Sequence, residues 1–182
     1  MKIPIVRLNM LKDKEIEFAG RRMSAPDAAV ECIRPLIDGA DREYVIACGV
    51  DSKHQPVYIE QVAIGTVSSC TVSAPEIFKA ALLSNAAGLF LFHNHPSGEP
   101  EPSQEDKDVT TRIRLSGELI GIYLIDHIII GDDGSYFSFR ENKLLKRCRK
   151  NSHKKIQKDG GKDNGNDAGE IQNDGQLDGG RL

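Results

Sequence analysis

The apolar residues in the first 145 positions alternate between helical spacing and extended runs. Ser24 and Asp27, with Pro26 between them, predict the start of a helix that continues to about Ile37. The β-branched runs YVIACGV and VYIEQVAIG follow, and the short polar turn between them predicts a hairpin. We therefore expect the folded part of the chain to begin with one helix and two paired strands.

A second group of elements surrounds the apolar strand LFLFHNH. Ser73 and Glu76 predict a helix before this strand, and Gly88 can end that helix in a left-handed conformation. A third helix is predicted from Ser103 onward, with one buried face made of Val109, Ile113, Leu115 and Leu119. Beyond Gly121 come a further apolar strand, IYLIDHIII, and a hairpin in GDDGSYFSF. This order predicts an α/β fold in which a mixed β-sheet is flanked by helices.

The segment HNHPSGEPEPSQED contains the residues best suited to chemistry. His93 and His95 are two positions apart at a strand end, so both imidazoles point to the same side of the sheet. The loop after them is rich in proline and glycine, turns the chain, and returns Ser103 and Asp106 to the strand end. Two neutral imidazoles and one carboxylate are the ligand set of a catalytic zinc site, whose fourth position is left for water.

Each half of this pattern also has an ordinary structural explanation. Two histidines at a strand end are often only solvated, and Ser103 with Asp106 is by itself a common helix-capping box. The combination favours a metal site, because three ligands then converge on one point. Ser103 can serve both purposes, since its hydroxyl can cap the helix while facing the substrate. His127, within an apolar strand, is interpreted as a hydrogen-bonded core histidine, with a role as partner of the zinc site as the alternative.

The spacing of His-x-His-Pro at 93–96 and Ser-x-x-Asp at 103–106 resembles the JAMM motif of the JAB1/MPN metalloprotease superfamily. The flanking segments GTVSS, PEIFKAALLSNAA, GELIGIYLIDHIIIG and YFSFRE are similar to the RadC branch, a set of bacterial proteins labelled as DNA repair proteins. The similarity covers about residues 4–145 and implies a JAB1/MPN, cytidine-deaminase-like architecture. It does not include the helix-hairpin-helix DNA-binding module of full-length RadC proteins, which weakens an expectation of DNA binding.

The resemblance implies a role for each matching residue. His93, His95 and Asp106 would bind zinc, and Ser103 would help to stabilise the tetrahedral intermediate. An upstream glutamate at the start of a strand would act as the general base. Glu43, fifty residues before His93 and directly ahead of YVIACGV, fits this placement. Its alternative is Glu60 in VYIEQVAIG, which otherwise resembles an outward-facing strand residue.

The chemistry implied by the resemblance is zinc-dependent hydrolysis of an amide, peptide or isopeptide bond, as in metallopeptidases of the JAMM class. The alternative is a DNA-repair-associated RadC-type protein, in which the metal domain has a structural or recruiting role in nucleic-acid metabolism. Zinc deaminases require a C-x-x-C pair, and the four cysteines of this chain contain none. The cofactor expected from the motif is Zn²⁺, and the expected partner is a protein or peptide substrate.

Composition divides the chain further. Residues 143–158 carry eight Lys or Arg and no acid, while residues 159–182 carry six acids against two cations. We expect weak nucleic-acid contact at most through the basic run, because the acidic tail can compete for its cations. No apolar run approaches the roughly 20 residues of a membrane span, and no secretory signal is evident, so we expect a cytoplasmic protein without membrane contact.

These observations together predict four consecutive parts of the chain. They are an N-terminal segment (1–22), a RadC-like JAB/MPN domain (23–145), a basic linker (146–158) and a disordered acidic tail rich in Gly, Asn and Asp (159–182).

Overall fold

The computed structural model describes residues 1–65 and 72–145. Within these ranges the elements are, in chain order, α1 (Pro26–Ile37), β1 (Tyr44–Val50), β2 (Pro56–Ile64), α2 (Ala74–Leu83), β3 (Gly88–Asn94), α3 (Gln104–Ile120), β4 (Tyr123–Ile130) and β5 (Tyr136–Ser138). This is the order predicted from the hydrophobic pattern. Among the described residues, no helix is long and apolar enough to cross a membrane. The predicted basic linker and acidic tail lie outside the described residues.

The five strands form one sheet in the order β2-β1-β3-β4-β5. The β3–β4 pair is parallel and the other three pairs are antiparallel, so the sheet is mixed and the predicted fold class is confirmed. Strand β3 lies in the centre and is buried along its whole length. A strand buried on both faces has no reason to alternate, which explains its uninterrupted apolar sequence before His93.

Helices cover both faces of the sheet. The apolar side chains of α1 pack on one face against a cluster of strand residues that includes Ile46, Phe90, Phe92 and Ile128. Helices α2 and α3 cover the other face, where the strands contribute Val45, Ala47, Leu89 and Leu91. Because side chains of a strand alternate between faces, His93 continues the row of Leu89 and Leu91 and lies on the face covered by α3.

Helix α3 begins as the sequence predicts and packs differently from the prediction. Ser103 is its N-cap, and Gly121 ends it with a φ of 80°. The predicted buried face is only half correct, because Leu115 and Leu119 are 47% and 87% exposed. The buried positions are spaced by three and four residues and include Asp106, Val109, Thr110, Ile113 and Gly117. Leu115 falls two residues after Ile113, which turns it away from the sheet.

Two predicted helix ends are wrong, and a third, at Ser73, is correct in position. Helix α1 begins after Ala25 with Pro26 in its first turn, and no side-chain cap is made there, so Ser24 is not the N-cap. Ser73 is the N-cap of α2 without a side-chain hydrogen bond. Beyond α2 the left-handed residue is Asn85, with a φ of 54°, and not Gly88. Gly88 is instead needed as the first residue of β3, where a Cβ atom would lie 2.5 Å from Ile125.

A buried carboxylate ties β4 to the end of β5 and to the turn that follows it. Asp126 is fully buried on β4 and accepts hydrogen bonds from the Ser138 hydroxyl and from the backbone N–H groups of His127 and Arg140, at 2.5–2.9 Å. Burial raises the pKa of Asp126 to about 6, although the three hydrogen bonds act in the opposite direction. The group therefore organises the turn at the cost of being charged in a buried place.

Replacing Asp126 by Ala should lower the free energy of unfolding by about 2–5 kcal/mol, because three buried donors lose their acceptor. Asp126→Asn should cost less, since one carbonyl oxygen can still accept from both backbone N–H groups. A pKa raised in the folded state stabilises the fold at low pH, and this contribution is lost as the pH rises through about 6. In urea unfolding, the free energy of unfolding of wild type relative to Asp126→Asn should therefore increase as the pH falls. Equal stability of the Ala and Asn variants would contradict this account.

Candidate metal centre

The carboxyl end of β3 and the amino end of α3 meet at one place in the fold. His93 is the next-to-last residue of β3, and His95 follows the strand directly. The backbone N–H of His95 donates to the Ile130 carbonyl at 3.1 Å, and the His95 carbonyl accepts from Gly98 in a tight turn at 3.0 Å. The proline-rich loop then returns the chain, so that Asp106 in the first turn of α3 faces both imidazoles.

Potential ligand atoms of three side chains converge there. His93 Nε2 lies 3.0 Å from His95 Nε2 and 3.2 Å from Asp106 Oδ1, and His95 Nε2 lies 3.6 Å from Asp106 Oδ2. Ligand atoms about 2.0–2.1 Å from a tetrahedral zinc ion are about 3.3 Å apart. With one ligand atom taken from each side chain, all three atoms lie within 4.8 Å of one another, so the group can hold a metal ion.

Asp106 is the most constrained of the three residues. Its carboxylate is 2% exposed and accepts hydrogen bonds at Oδ2 from the backbone N–H and the hydroxyl of Ser103. Burial would raise the pKa of Asp106, but His93, His95 and Ser103 together hold it well below its usual range. The carboxylate is therefore anionic, and Oδ1 carries fewer hydrogen bonds than Oδ2.

His95 forms the open side of the centre. Its Nδ1 donates to the Glu99 carbonyl at 2.7 Å, which leaves the lone pair of Nε2 directed toward His93 and Asp106. The side chain of His95 is 16% exposed, whereas that of His93 is 1% exposed. The pKa of His95 is raised, mainly by Asp106 and in smaller part by the negative charge of Glu43. A ligand from solvent would thus approach past His95, close to Glu43.

Strand register explains why Glu43 is near the centre. Val45 of β1 pairs with His93 in antiparallel register, and Asn94 ties the start of β1 to the end of β3 by hydrogen bonds with the backbones of Tyr44 and Arg42. Counting two residues outward from the Val45–His93 pair places Glu43 opposite His95 and on the same face. The structure therefore brings the sequence-predicted glutamate beside the predicted ligands.

Glu60, the alternative glutamate, lies farther from the centre. It pairs with Ala47 on the edge strand β2, which is separated from β3 by β1. Burial raises the pKa of Glu60, and Lys79 and Glu76 of α2 also influence it. The register therefore favours Glu43 as the residue able to act on a group bound at the centre.

Ser103 occupies the position that the sequence predicts. Its hydroxyl donates to Asp106 Oδ2 at 2.6 Å and accepts from the Asp106 backbone N–H at 3.1 Å, which completes a capping box. The structural interpretation of Ser103 is thus observed. Its role in stabilising an intermediate stays a prediction, although the side chain lies beside the proposed ligands.

Two residues behind His93 were not identified as a pair from the sequence. His127 is fully buried, its Nε2 lies 2.9 Å from His93 Nδ1, and its Nδ1 lies 2.6 Å from Thr110 Oγ1. Burial lowers the pKa of His127 well below its usual value, so the ring is neutral. The D-x-x-x-T spacing from Asp106 to Thr110, one helical turn, was the available signal, but it acquires meaning only when α3 is packed on β4.

Comparisons with known proteins agree with this geometry. A family model described as the RadC-like JAB domain matches residues 23–144. A UPF0758 protein of Pasteurella multocida is 43% identical over 113 residues, which are 62% of this chain and 50% of that protein. A UPF0758 protein of Clostridioides difficile is 47% identical over 104 residues, 57% of this chain and 44% of the relative.

A third relative, the UPF0758 protein of Rubrobacter xylanophilus, is 38% identical over 123 residues, 68% of this chain and 53% of the relative. The chain thus spans about half the length of these curated relatives. The mixed five-stranded sheet with three helices is consistent with a JAB/MPN domain. The resemblance read from the sequence is confirmed, and the chain belongs to the RadC-like JAB domain family.

Proposed function

We propose that this domain is a zinc-dependent hydrolase that cleaves amide bonds of the peptide or isopeptide type. The observation that carries the proposal is the convergence of His93, His95 and Asp106, with their ligand atoms within 4.8 Å of one another, beside a strand-end glutamate. Metalloproteases with the same motif define the superfamily that the sequence resembles. The relatives' names describe no activity, so the reaction rests on the chemistry of the site.

The donor set selects the metal. Two imidazole nitrogens and one carboxylate oxygen suit zinc better than the hard cations Mg²⁺ and Ca²⁺, which prefer a shell of oxygens. Three protein ligands also leave one coordination position open, as catalytic zinc sites require. A zinc ion bound here would supply Lewis-acid polarisation of a carbonyl oxygen and acidify water to a pKa of about 7.

Glu43 is the residue placed to move protons. Its register position opposite His95 and its electrostatic influence on that imidazole support a role on the open side of the centre, where its carboxylate would accept a proton from the attacking water. The same carboxylic acid can then return the proton to the amine that leaves. This pair of transfers needs a carboxylate within hydrogen-bond reach of both groups, and the strand register supports Glu43 for this role over Glu60 on the edge strand.

Ser103 would stabilise charge that develops on the substrate carbonyl. Its hydroxyl has one hydrogen, which in this structure is donated to Asp106 Oδ2. Rotation of the hydroxyl would redirect that hydrogen to the oxyanion, while the Ser103 backbone N–H, 2.8 Å from Oδ2, keeps Asp106 in place. Ser103 would thus hold Asp106 through its backbone N–H and donate a hydrogen bond to the oxyanion through its hydroxyl.

The proposed substrate is a protein or peptide. A DNA-repair-associated role with a structural or recruiting metal domain is the second candidate, and the basic run in residues 143–158 is the feature that favours it. We propose that nucleic-acid contact through this run is weak and nonspecific, and we rank the role second because three electron-rich side chains converge at a site that solvent reaches past His95.

Purified protein should contain about one zinc ion per chain, and His93→Ala or Asp106→Ala should lose it, because either change leaves only two ligands. Elemental analysis after dialysis against trace zinc measures the content. Asp108→Ala is a matched control, since Asp108 is exposed on the same helix two residues away. Zinc retained by both ligand variants would show that the ion binds elsewhere.

The zinc-loaded protein should generate new carboxyl termini, each matched by a freed α-amine or lysine ε-amine, from a peptide library that includes isopeptide-linked members, as counted by mass spectrometry. Glu43→Gln should lower the rate by about 10²–10⁴-fold, the usual contribution of a general base, while zinc content stays unchanged. Glu60→Gln is the control and should cleave like wild type. Loss of cleavage in Glu60→Gln with full activity in Glu43→Gln would reverse the assignment of the base.

A further inference from the structure

A chain of buried hydrogen bonds runs from the back of His93 into helix α3. His93 Nδ1 lies 2.9 Å from His127 Nε2, and His127 Nδ1 lies 2.6 Å from Thr110 Oγ1. Thr110 Oγ1 in turn lies 2.6 Å from the backbone carbonyl of Asp106, one turn earlier in the helix. The chain therefore begins at one proposed metal ligand and ends on the backbone of another.

The chemistry of the last group fixes the direction of every bond. A carbonyl oxygen has no hydrogen, so the Thr110 hydroxyl must donate to Asp106. Because its only hydrogen is donated to Asp106, the hydroxyl must accept from His127 Nδ1–H. A neutral His127 then has a bare Nε2, which accepts from His93 Nδ1–H. The proton of His93 is thereby held on Nδ1, and its Nε2 keeps a lone pair toward His95 and Asp106.

We propose that Thr110 and His127 are positioning residues that fix the tautomer of His93, so that its Nε2 is always available to the metal. The proposal rests on the metal centre of the proposed function. His95 is fixed differently, by the Glu99 carbonyl. Both imidazoles are thus oriented through their Nδ1 atoms. His95 donates directly to a backbone carbonyl, and His93 donates to a chain of hydrogen bonds that ends at one.

The ring of His127 is suited to this task because its plane is also held by packing. It stacks on Phe139 with centroids 4.9 Å apart and an interplanar angle of 13°, and its backbone carbonyl accepts from the Phe139 N–H at 3.0 Å. Stacking alone would fix the plane but not the position of the proton. The Thr110 hydroxyl supplies the missing constraint, since its hydrogen is donated to the Asp106 carbonyl and it can only accept from His127.

Thr110→Val tests the hydroxyl with little change in shape. Without the hydroxyl, His127 loses its acceptor, its proton can move to Nε2, and His93 then carries a proton on the nitrogen that should bind the metal. We expect zinc affinity, measured by competition with a chromophoric chelator, to fall by about 10–100-fold. Thr110→Ser, which restores the hydroxyl, should bind zinc close to wild type. If the wild-type protein binds its zinc through His93 and Thr110→Val binds zinc with equal affinity, the proposal is overturned.

A double-variant comparison asks whether Thr110 acts through His127. His127→Phe keeps an aromatic ring against Phe139 and removes both ring nitrogens, so it should weaken zinc binding by itself. Adding Thr110→Val to that variant should cause no further loss, because residues that act through one another are not additive. Additive losses would show that Thr110 affects the centre by another route. The melting temperatures of the metal-free variants report whether each one folds.

The tautomer of His93 can be observed without any metal. In metal-free wild type, ¹⁵N NMR of the histidine rings should show His93 protonated on Nδ1, and Thr110→Val should show a mixture of the two tautomers. Wild-type His93 protonated on Nε2 would overturn the proposal. This measurement separates the two hypotheses, because failure of zinc to bind would contradict the proposed function and leave the tautomer result standing on its own.

Discussion

The candidate ligand atoms of His93, His95 and Asp106 lie within 4.8 Å of one another at the end of the central strand, and this close approach is unfavourable without a positive charge among them. Two imidazole lone pairs and an anionic carboxylate repel one another in a largely buried place, where water screens poorly. A cation at their centre reverses each of these repulsions. The rest of the fold is arranged so that this unfavourable group of atoms is held together before any ion arrives.

Each of the three candidate ligands is held by hydrogen bonds that the protein itself supplies. His93 sits on a strand paired on both sides, and His95 is fixed by a turn and by the Glu99 carbonyl. Asp106 lies in the first turn of α3, where the helix dipole favours a negative charge and Ser103 donates twice to one oxygen. Little of the free energy of metal binding is then needed to order the chain, which favours a tight and geometrically selective site.

The position of Glu43 follows from the same pairing. The antiparallel β1–β3 register that buries Val45 against His93 also aligns the residue before β1 with His95. One hydrogen-bonded amide, that of Asn94, secures this alignment at the exact end of the two strands. The same β1–β3 register therefore positions Glu43 and packs the core. A shift of one residue would move Glu43 to the opposite face of the sheet.

Local rules explain how much could be predicted from the sequence. Strand alternation places His93 and His95 on one side, and the capping preference of Ser103 places Asp106 in the first helical turn, so the candidate ligand set could be predicted without coordinates. The exposure of Leu115 and the contact between Thr110 and His127 depend on how α3 rotates against the sheet, which no local pattern encodes. The choice between Glu43 and Glu60 likewise depends on strand order, a property of the whole sheet.

X-ray absorption at the zinc edge of the metal-loaded protein tests the central claim most directly. The account predicts two imidazole nitrogens and two oxygens at about 2.0–2.1 Å, one oxygen from Asp106 and one from solvent. Sulfur neighbours at about 2.3 Å, or an imidazole count other than two, would contradict the assignment of His93, His95 and Asp106 as an open zinc centre.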